Sequence, residues 1–382
     1  MTDHIDPTPA DDATLRSVSN RLSNNGRPTR PNRGEAVELT QRDARVRSLD
    51  QPRRRRKKQT AAKPKSQPAG TVSRSARKRA PVAGESQASA PESWLARIGG
   101  FFERFNPDVV RSVNGEIAQR MHRIPTRLNE FGYDPWGLNV DVARRALVIS
   151  TLLYRYYFRV ETHGIDNLPA GRVLVIGNHA GQVALDAAMV GTATFLEGDP
   201  PRILRGMGEY WLPTLPFVNI MMSRTGSVVG TPKNCVDLLE KEEAVVAFPE
   251  GVRGMNKLFR DRYRLQRFGY GFMRLALATK SPIVPVAVVG SEEQAPGLAN
   301  LTSLGRLLGM PAFPITLTWP LLGPLGMIPF PVKYRIYFGA PLRFEGDPDE
   351  EDAAIGKRVD QVKDTIQSML EAGVRARPSI FF

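Results

Sequence analysis

The sequence predicts an α/β fold: a central, mostly parallel sheet flanked by helices, preceded by N-terminal amphipathic helices and a disordered basic tail. Three observations carry this expectation. Short apolar runs alternate with helical patterns from residue 141 onward, an amphipathic helix closes the chain, and charged and aromatic residues are divided unevenly along it. The 382 residues carry 53 Lys and Arg against 39 Asp and Glu, a net charge of +14. Residues 51–80 hold twelve basic and no acidic side chains, and residues 1–90 contain no Phe, Trp or Tyr. A stretch so charged and so poor in large apolar groups cannot offset its ordering entropy by burial, so 1–90 is expected to be disordered. The rest is nearly neutral and long enough for one large core.

The elements follow in order. At 91–140 an amphipathic helical segment is expected, because Trp94, Ile98, Phe101, Phe102 and Phe105 recur at helical spacing opposite Arg97, Glu103 and Arg104. It either packs on the domain or lies in a membrane surface, where the preceding basic tail would add attraction to anionic lipid. The main domain is expected at 141–382. Val142 to Phe158 reads as a helix, Val173 to Ile176 as a buried strand, Val183 to Thr194 as a helix and Ala244 to Phe248 as a strand. Arg264 to Thr279 reads as a helix, and Ile283 to Val289 and Lys333 to Phe338 read as strands. Asp347-Pro348 and the acidic residues after it announce a last helix with Ile355, Val359, Val362, Ile366 and Met369 on one face.

Composition excludes several classes. A single cysteine, Cys235, rules out a disulfide framework and a thiolate-rich metal site. Four histidines leave little room for a multi-His centre, so neither a metal nor a resident cofactor is expected. The acidic, polar start MTDHIDPTPADD does not read as a secretory signal. The one uncharged run of membrane length, Leu307 to Val332, contains six prolines and cannot form a continuous spanning helix. It reads either as a covered crossover or as an apolar lip that meets a bilayer. A peripheral protein on the cytoplasmic face of a membrane is the expectation.

The chemistry concentrates in three segments. Gly177-Asn178-His179 lies where a strand ends and a helix starts, the edge at which open α/β sheets gather catalytic groups. A His there with a nearby carboxylate can act as a general base, and it can equally be a structural His at a helix start. Phe248-Pro249-Glu250-Gly251-Val252-Arg253-Gly254 follows a strand and is rich in turn residues. Arg224 lies in Ser223-Arg-Thr-Gly226 and has the bidentate donors suited to a phosphate. Between Arg253 and Lys280 eight basic side chains face one acidic residue, which reads as a solvated face or as a surface for acidic head groups or CoA phosphates.

Taken in order, Asn178-His179 with a following Asp, Arg224, Phe248-Pro249-Glu250-Gly251 with Arg253, and Ile283 to Ala287 resemble the four sequence blocks of the glycerolipid acyltransferase family. The resemblance runs over residues 140–345 and extends to a subgroup related to diacylglycerol acyltransferases and their bacterial relatives. It implies an O-acyltransferase that moves a fatty acyl group from acyl-CoA or acyl carrier protein to a glycerolipid hydroxyl on lysophosphatidate, a lysophospholipid or diacylglycerol. It implies His179 as base and Asp186 as its orienting partner. Arg224, Glu250, Gly251 and Arg253 would bind the acceptor. The family usually places the Asp closer, but here Ala184 stands at that position and Asp186 is the first carboxylate. Residues seven apart on a regular helix stand about 10 Å apart. The resemblance therefore requires Ala180 to Val183 to form a loop before the helix begins.

Two alternatives come from the same residues. The altered His-to-Asp spacing would suit a lipid-binding relative without catalysis, and the basic tail would suit non-specific nucleic-acid binding. The tail has none of the aromatic residues that stack on bases.

Overall fold

Alternation along strand β2 (Val173–Gly177) shows how the domain is layered. Val173 and Val175 enter one hydrophobic cluster while Leu174 and Ile176 enter the other, so the sheet is covered on both faces. Each fully buried Val, Leu or Ile contributes about 1.5–3 kcal/mol relative to exposure. The computed structural model describes residues 106–382, apart from 126, 183 and 216. The expectations for the tail at 1–90 and for the Trp94 to Phe105 stretch lie outside the described residues.

The main sheet has seven strands in the order β1-β9-β6-β2-β5-β3-β4. They are β1 (Glu161–His163), β2, β3 (Leu204–Gly208), β4 (Val228–Val229), β5 (Ala244–Ala247), β6 (Ile283–Val289) and β9 (Arg335–Phe338). Every neighbouring pair is parallel except β6 and β9. The block β6-β2-β5-β3-β4 therefore presents all its carboxyl ends at one edge. Parallel strands need crossovers, and helices supply them.

Helices α1 (Pro107–Met121), α2 (Val140–Leu152) and α3 (Leu185–Leu196) pack on one face through Val110, Val113, Ile117, Val148, Met189 and Phe195. Asn106 and Asn139 cap the first two by accepting the Val109 and Val142 N–H groups at 3.2 and 3.1 Å. The expected helix at Val142 to Phe158 is thus two pieces, α2 and a π-helical turn over Leu153–Tyr157. Helices α5 (Pro232–Glu240), α7 (Gly271–Thr279) and α9 (Asp352–Ala376) cover the other face. Cys235 lies buried there beside Leu238 and Leu239. Between them in sequence are two shorter helices, α4 (Val218–Arg224) and α6 (Val252–Met255).

One expected helix is corrected. Helix α7 starts at Gly271 rather than at Arg264: 262–263 makes a turn with Tyr263 at φ +60°, and 264–269 is irregular, with Tyr263, Leu265 and Phe268 buried and Arg262, Arg264 and Arg267 exposed.

The proline-rich run also resolves. Strands β7 (Gly297–Leu301) and β8 (Phe313–Thr316) form a separate antiparallel pair, joined by α8 (Thr302–Leu307). Beyond β8 the chain makes a 3₁₀ turn at Gly323–Met327. Leu307, Leu308, Leu317, Leu321, Leu322, Leu325, Met327 and Ile328 are exposed here, Leu321 to 84%. A covered crossover is therefore not what forms. The hairpin is tied to the sheet's carboxyl edge, since Asn300 Nδ2 donates to the Asn256 carbonyl at 2.6 Å and Phe330 N–H to the Gln294 carbonyl at 2.7 Å. Among the described residues no helix is long and apolar enough to cross a membrane.

Candidate active site

Four strands deliver their next residues to one edge: β2 leads to Asn178-His179, β3 to Glu209, β5 to Phe248-Pro-Glu-Gly251 and β6 to Gly290-Ser-Glu-Glu-Gln294. Asn178 extends the β2–β6 ladder by one step with its side chain. Its Nδ2 donates to the Val288 carbonyl at 3.1 Å and its Oδ1 accepts the Val288 N–H at 2.7 Å. His179 is thereby fixed at the first position beyond the sheet.

The loop required between His179 and Asp186 is present. Gly181 and Gln182 both take positive φ, +90° and +61°, and α3 begins only at Leu185. A left-handed Gln is a strained conformation that the surrounding packing must hold. At 181 only glycine fits, because a Cβ would stand 2.5 Å from the Ser291 carbonyl oxygen and also meet Gln294 Nε2. The reversal brings Asp186, on the first turn of α3, back to the ring of His179.

Asp186 Oδ2 lies 2.8 Å from His179 Nδ1 and accepts the Ala180 N–H at 2.9 Å, while Oδ1 accepts the Ala187 N–H at 2.8 Å. Asp186 is fully buried and His179 is 7% exposed. An Nδ1–H donated to the carboxylate leaves Nε2 as the ring's free lone pair. Phe248 stacks on the imidazole at 4.5 Å with the planes 17° apart, which holds the ring flat against the β5 turn. Burial pulls the His179 pKa down, but the charge and hydrogen bond of Asp186, with the charges of Glu250 and Glu209, outweigh it and leave the pKa above the usual 6.5.

Glu250 is engaged at both oxygens. Oε1 accepts the His179 N–H at 3.0 Å, and Oε2 accepts the Gln266 N–H at 2.7 Å and meets Lys257 Nζ at 3.5 Å. Lys257 also bonds Glu292 at 3.1 Å, and burial, only partly offset by that lysine, pushes the Glu292 carboxyl up to about 7. Lys257, one of the eight basic residues between Arg253 and Lys280 that read as surface cations, is instead buried between two carboxylates. An unpaired ammonium at that depth would be costly, which is why it takes two partners.

The other expected residues lie as follows. Gly251 has φ +55°, and Glu209 Oε1 lies 2.6 Å from where a Cβ on it would stand. Arg253, on α6, is exposed and donates to the Arg267 carbonyl at 3.1 Å. Arg224 ends α4, with its guanidinium 6.0 Å over the Tyr133 ring and its carbonyl accepting the Asn139 N–H at 3.0 Å. Direct hydrogen bonds thus join His179, Asp186 and Glu250; Gly251 adjoins them through the Glu250 turn, and Arg253 bonds the Arg267 carbonyl instead. Sequence reasoning missed Glu209, the stacking of Phe248 and the close fit of Gly254, whose Cβ would stand 2.8 Å from both the His179 carbonyl oxygen and Glu250 Cβ. Among the described residues no group of three or more His, Cys, Asp or Glu is placed to hold a metal ion.

The family described as Acyltransferase matches residues 159–289, from just before β1 to the end of β6, a span that contains every residue of this cluster except those after Val289. An uncharacterized protein of Mycobacterium leprae is 39% identical over 278 residues, 72% of this chain and 74% of its own length. The human protein named DGAT1/2-independent enzyme synthesizing storage lipids is 23% identical over 214 residues, 55% of this chain and 60% of its own. Among solved structures, the 1-acyl-sn-glycerophosphate acyltransferase PlsC of Thermotoga maritima aligns at 16% identity with a TM-score of 0.39, covering 76% of this chain and 99% of that one.

Proposed function

This chain belongs to the acyltransferase family and is an acyltransferase, and from that premise we propose that it moves a fatty acyl group from a thioester to the hydroxyl of a glycerolipid, with His179 as general base. The observation that carries the reading is the 2.8 Å contact between His179 Nδ1 and the buried Asp186 carboxylate, which leaves Nε2 free to accept a proton. Nε2 takes the proton of the acceptor hydroxyl as its oxygen attacks the thioester carbonyl. Asp186 stabilises the imidazolium so formed and keeps the ring in one tautomer. Collapse of the tetrahedral intermediate breaks the C–S bond, and the proton passes from Nε2 to the departing thiolate. An ester and the free thiol of CoA or acyl carrier protein result, and no resident cofactor is needed.

In this reading Glu250 positions His179 through its backbone rather than touching the acceptor, since both its oxygens are occupied. Gly251 leaves backbone open at the pocket edge, and Arg224 and Arg253 serve the acceptor or the donor's phosphates from the rim. The contact between His179 and Asp186 argues against a catalytically silent relative, because the longer spacing still yields a bonded dyad. The exposed apolar residues between Leu307 and Ile328 are the contact with the bilayer that supplies the lipid, on the cytoplasmic face of a membrane.

The test gives purified full-length protein acyl-CoA and glycerolipid acceptors and measures thiol release and ester formation. His179→Ala is expected to lower the rate by about 10²- to 10⁴-fold. Undiminished acceptor-dependent thiol release in that variant would overturn the role of His179.

A further inference from the structure

We infer that Gln294 is a positioning residue for the His179–Asp186 pair: its side-chain amide clamps the left-handed Gly181-Gln182 turn that brings the carboxylate back to the imidazole. The inference deepens the acyl-transfer reading above, on which its effect on rate rests, by naming what holds the base and its partner together.

Gln294 lies in the loop after β6 and is 1% exposed. Its Nε2 donates to the Gly181 carbonyl at 3.2 Å, and its Oε1 accepts the Tyr334 hydroxyl at 2.6 Å. Each partner fixes which end of the amide faces it, since only the nitrogen can donate to a carbonyl. Tyr334, the residue before β9, is fully buried, packs on Phe158 at 4.7 Å, and has its backbone bonded to Phe158 and Glu161. Burial first, and then the charge of Asp186, push its pKa well above the usual tyrosine value, so the hydroxyl stays protonated and donates. That the charge of Asp186 reaches this hydroxyl puts the Tyr334–Gln294 pair beside the carboxylate it serves.

The turn needs such a clamp. A left-handed Gln persists only where its surroundings impose it. Gln182 has one tether of its own, from Nε2 to the Lys257 carbonyl at 3.3 Å, and the Gly181 carbonyl is held by Gln294. The loop that carries Gln294 is itself fixed. Gly290 N–H donates to the Tyr263 hydroxyl at 2.9 Å, Glu293 is bonded by Tyr263 and by Arg377 at 2.7 Å, and Phe330 N–H donates to the Gln294 carbonyl at 2.7 Å. Removing the amide leaves the Gly181 carbonyl and the Tyr334 hydroxyl each short of a partner and frees the turn to relax. At 1% exposure Gln294 has almost no surface with which to meet a substrate, so its effect belongs to the dyad.

The experiment uses the full chain with ring-labelled histidine and titrates the His179 imidazole by NMR, its signal identified by loss in His179→Ala. Alongside it are measured kcat and KM with acyl-CoA and glycerolipid acceptors, and a denaturant midpoint. In the wild type burial lowers the His179 pKa, and Asp186, Glu250 and Glu209 together raise it above the usual 6.5. Gln294→Met keeps the volume and loses both side-chain bonds, while the ring stays stacked on Phe248 and the His179 N–H stays on Glu250, so the Asp186 contact alone slackens. The His179 midpoint should then fall toward that of Asp186→Asn, and kcat should fall by about 10²-fold with KM nearly unchanged. Tyr334→Phe, which removes only the hydroxyl, should move both in the same direction by less. In an Asp186→Asn background Gln294→Met should change neither further. An unmoved His179 midpoint and kcat in Gln294→Met, or in Tyr334→Phe should Gln294→Met lose its cooperative unfolding, would overturn the inference, as would a full effect of Gln294→Met on top of Asp186→Asn. A wild type that transfers no acyl group, with a His179 midpoint that still falls in Gln294→Met, would overturn the acyl-transfer reading and leave the clamp standing.

Discussion

His179 is pulled in opposite directions, by burial toward the neutral form and by three carboxylates toward the charged one, and the carboxylates prevail. A general base works when neutral, so kcat/KM should rise with pH through a midpoint above 6.5, the base being protonated and idle below it. Asp186→Asn removes the largest of the upward effects. The midpoint should then move to lower pH, and the plateau rate should fall by about 10²- to 10⁴-fold. A pH–rate profile of both proteins reads both effects, and an unmoved midpoint would show that Asp186 does not act on the ring. The dyad was legible at this scale because the distance argument on a regular helix forced a loop at 180–183, and Gly181 was there to make it. Glu209 was not legible. The strand that carries it, Leu204-Arg-Gly-Met-Gly208, has an Arg and two glycines where a buried strand is expected to be apolar.

At the scale of elements, the tight contact between the β5 turn and the β2 turn decides whether the site assembles. Gly254 lies where a Cβ would stand 2.8 Å from the His179 carbonyl oxygen and from Glu250 Cβ, both short of normal van der Waals separation. Gly254→Ala should cost about 1–3 kcal/mol in a denaturant titration and lower acyl transfer by displacing the His179 backbone. Gly271→Ala, at a position with nothing within 4 Å, is the control and should leave the midpoint nearly unchanged or slightly raised. Strand β6 appears over the residues its Val-rich run predicted, since a parallel strand buried on both faces reads as continuous apolar sequence. The segment before α7 did not. Leu265 and Gln266 give their N–H groups to Gln367 Oε1 and Glu250 Oε2, and these tertiary partners hold the chain out of a helix where Arg264 to Leu277 has helix-forming residues.

For the whole molecule, the densest run of exposed large apolar side chains among the described residues lies in one segment, 307–328, bonded to the catalytic edge, while the excess charge of the sequence lies in residues 1–90. Replacing Leu321 and Leu325 together by Asp should weaken binding to anionic phospholipid vesicles by at least about tenfold, because each exposed Leu gains roughly 1.5–3 kcal/mol on full burial. Transfer to acceptors dispersed in detergent should fall less. Deleting residues 1–90 should remove the salt-sensitive part of vesicle binding and leave acyl transfer in place. Vesicle binding that both changes leave untouched would refute the membrane reading. Here too the sequence was half-informative, since the absence of charge from Leu307 to Val332 was visible but its exposure depended on which side of β7 and β8 the rest of the fold would cover.

Cys235 has a consequence for how the molecule can be watched. It is the chain's only thiol, it is packed beneath the sheet, and burial pushes its pKa up to about 12. A disulfide dye that reacts with thiolates will find almost none on the folded protein at neutral pH. Colour that develops on mixing enzyme, acyl-CoA and acceptor therefore counts released CoA alone, turnover by turnover. A slow extra equivalent of colour, one per chain, would report that the helix Pro232–Glu240 had come away from the sheet, so a single reagent follows both the catalyst and its unfolding.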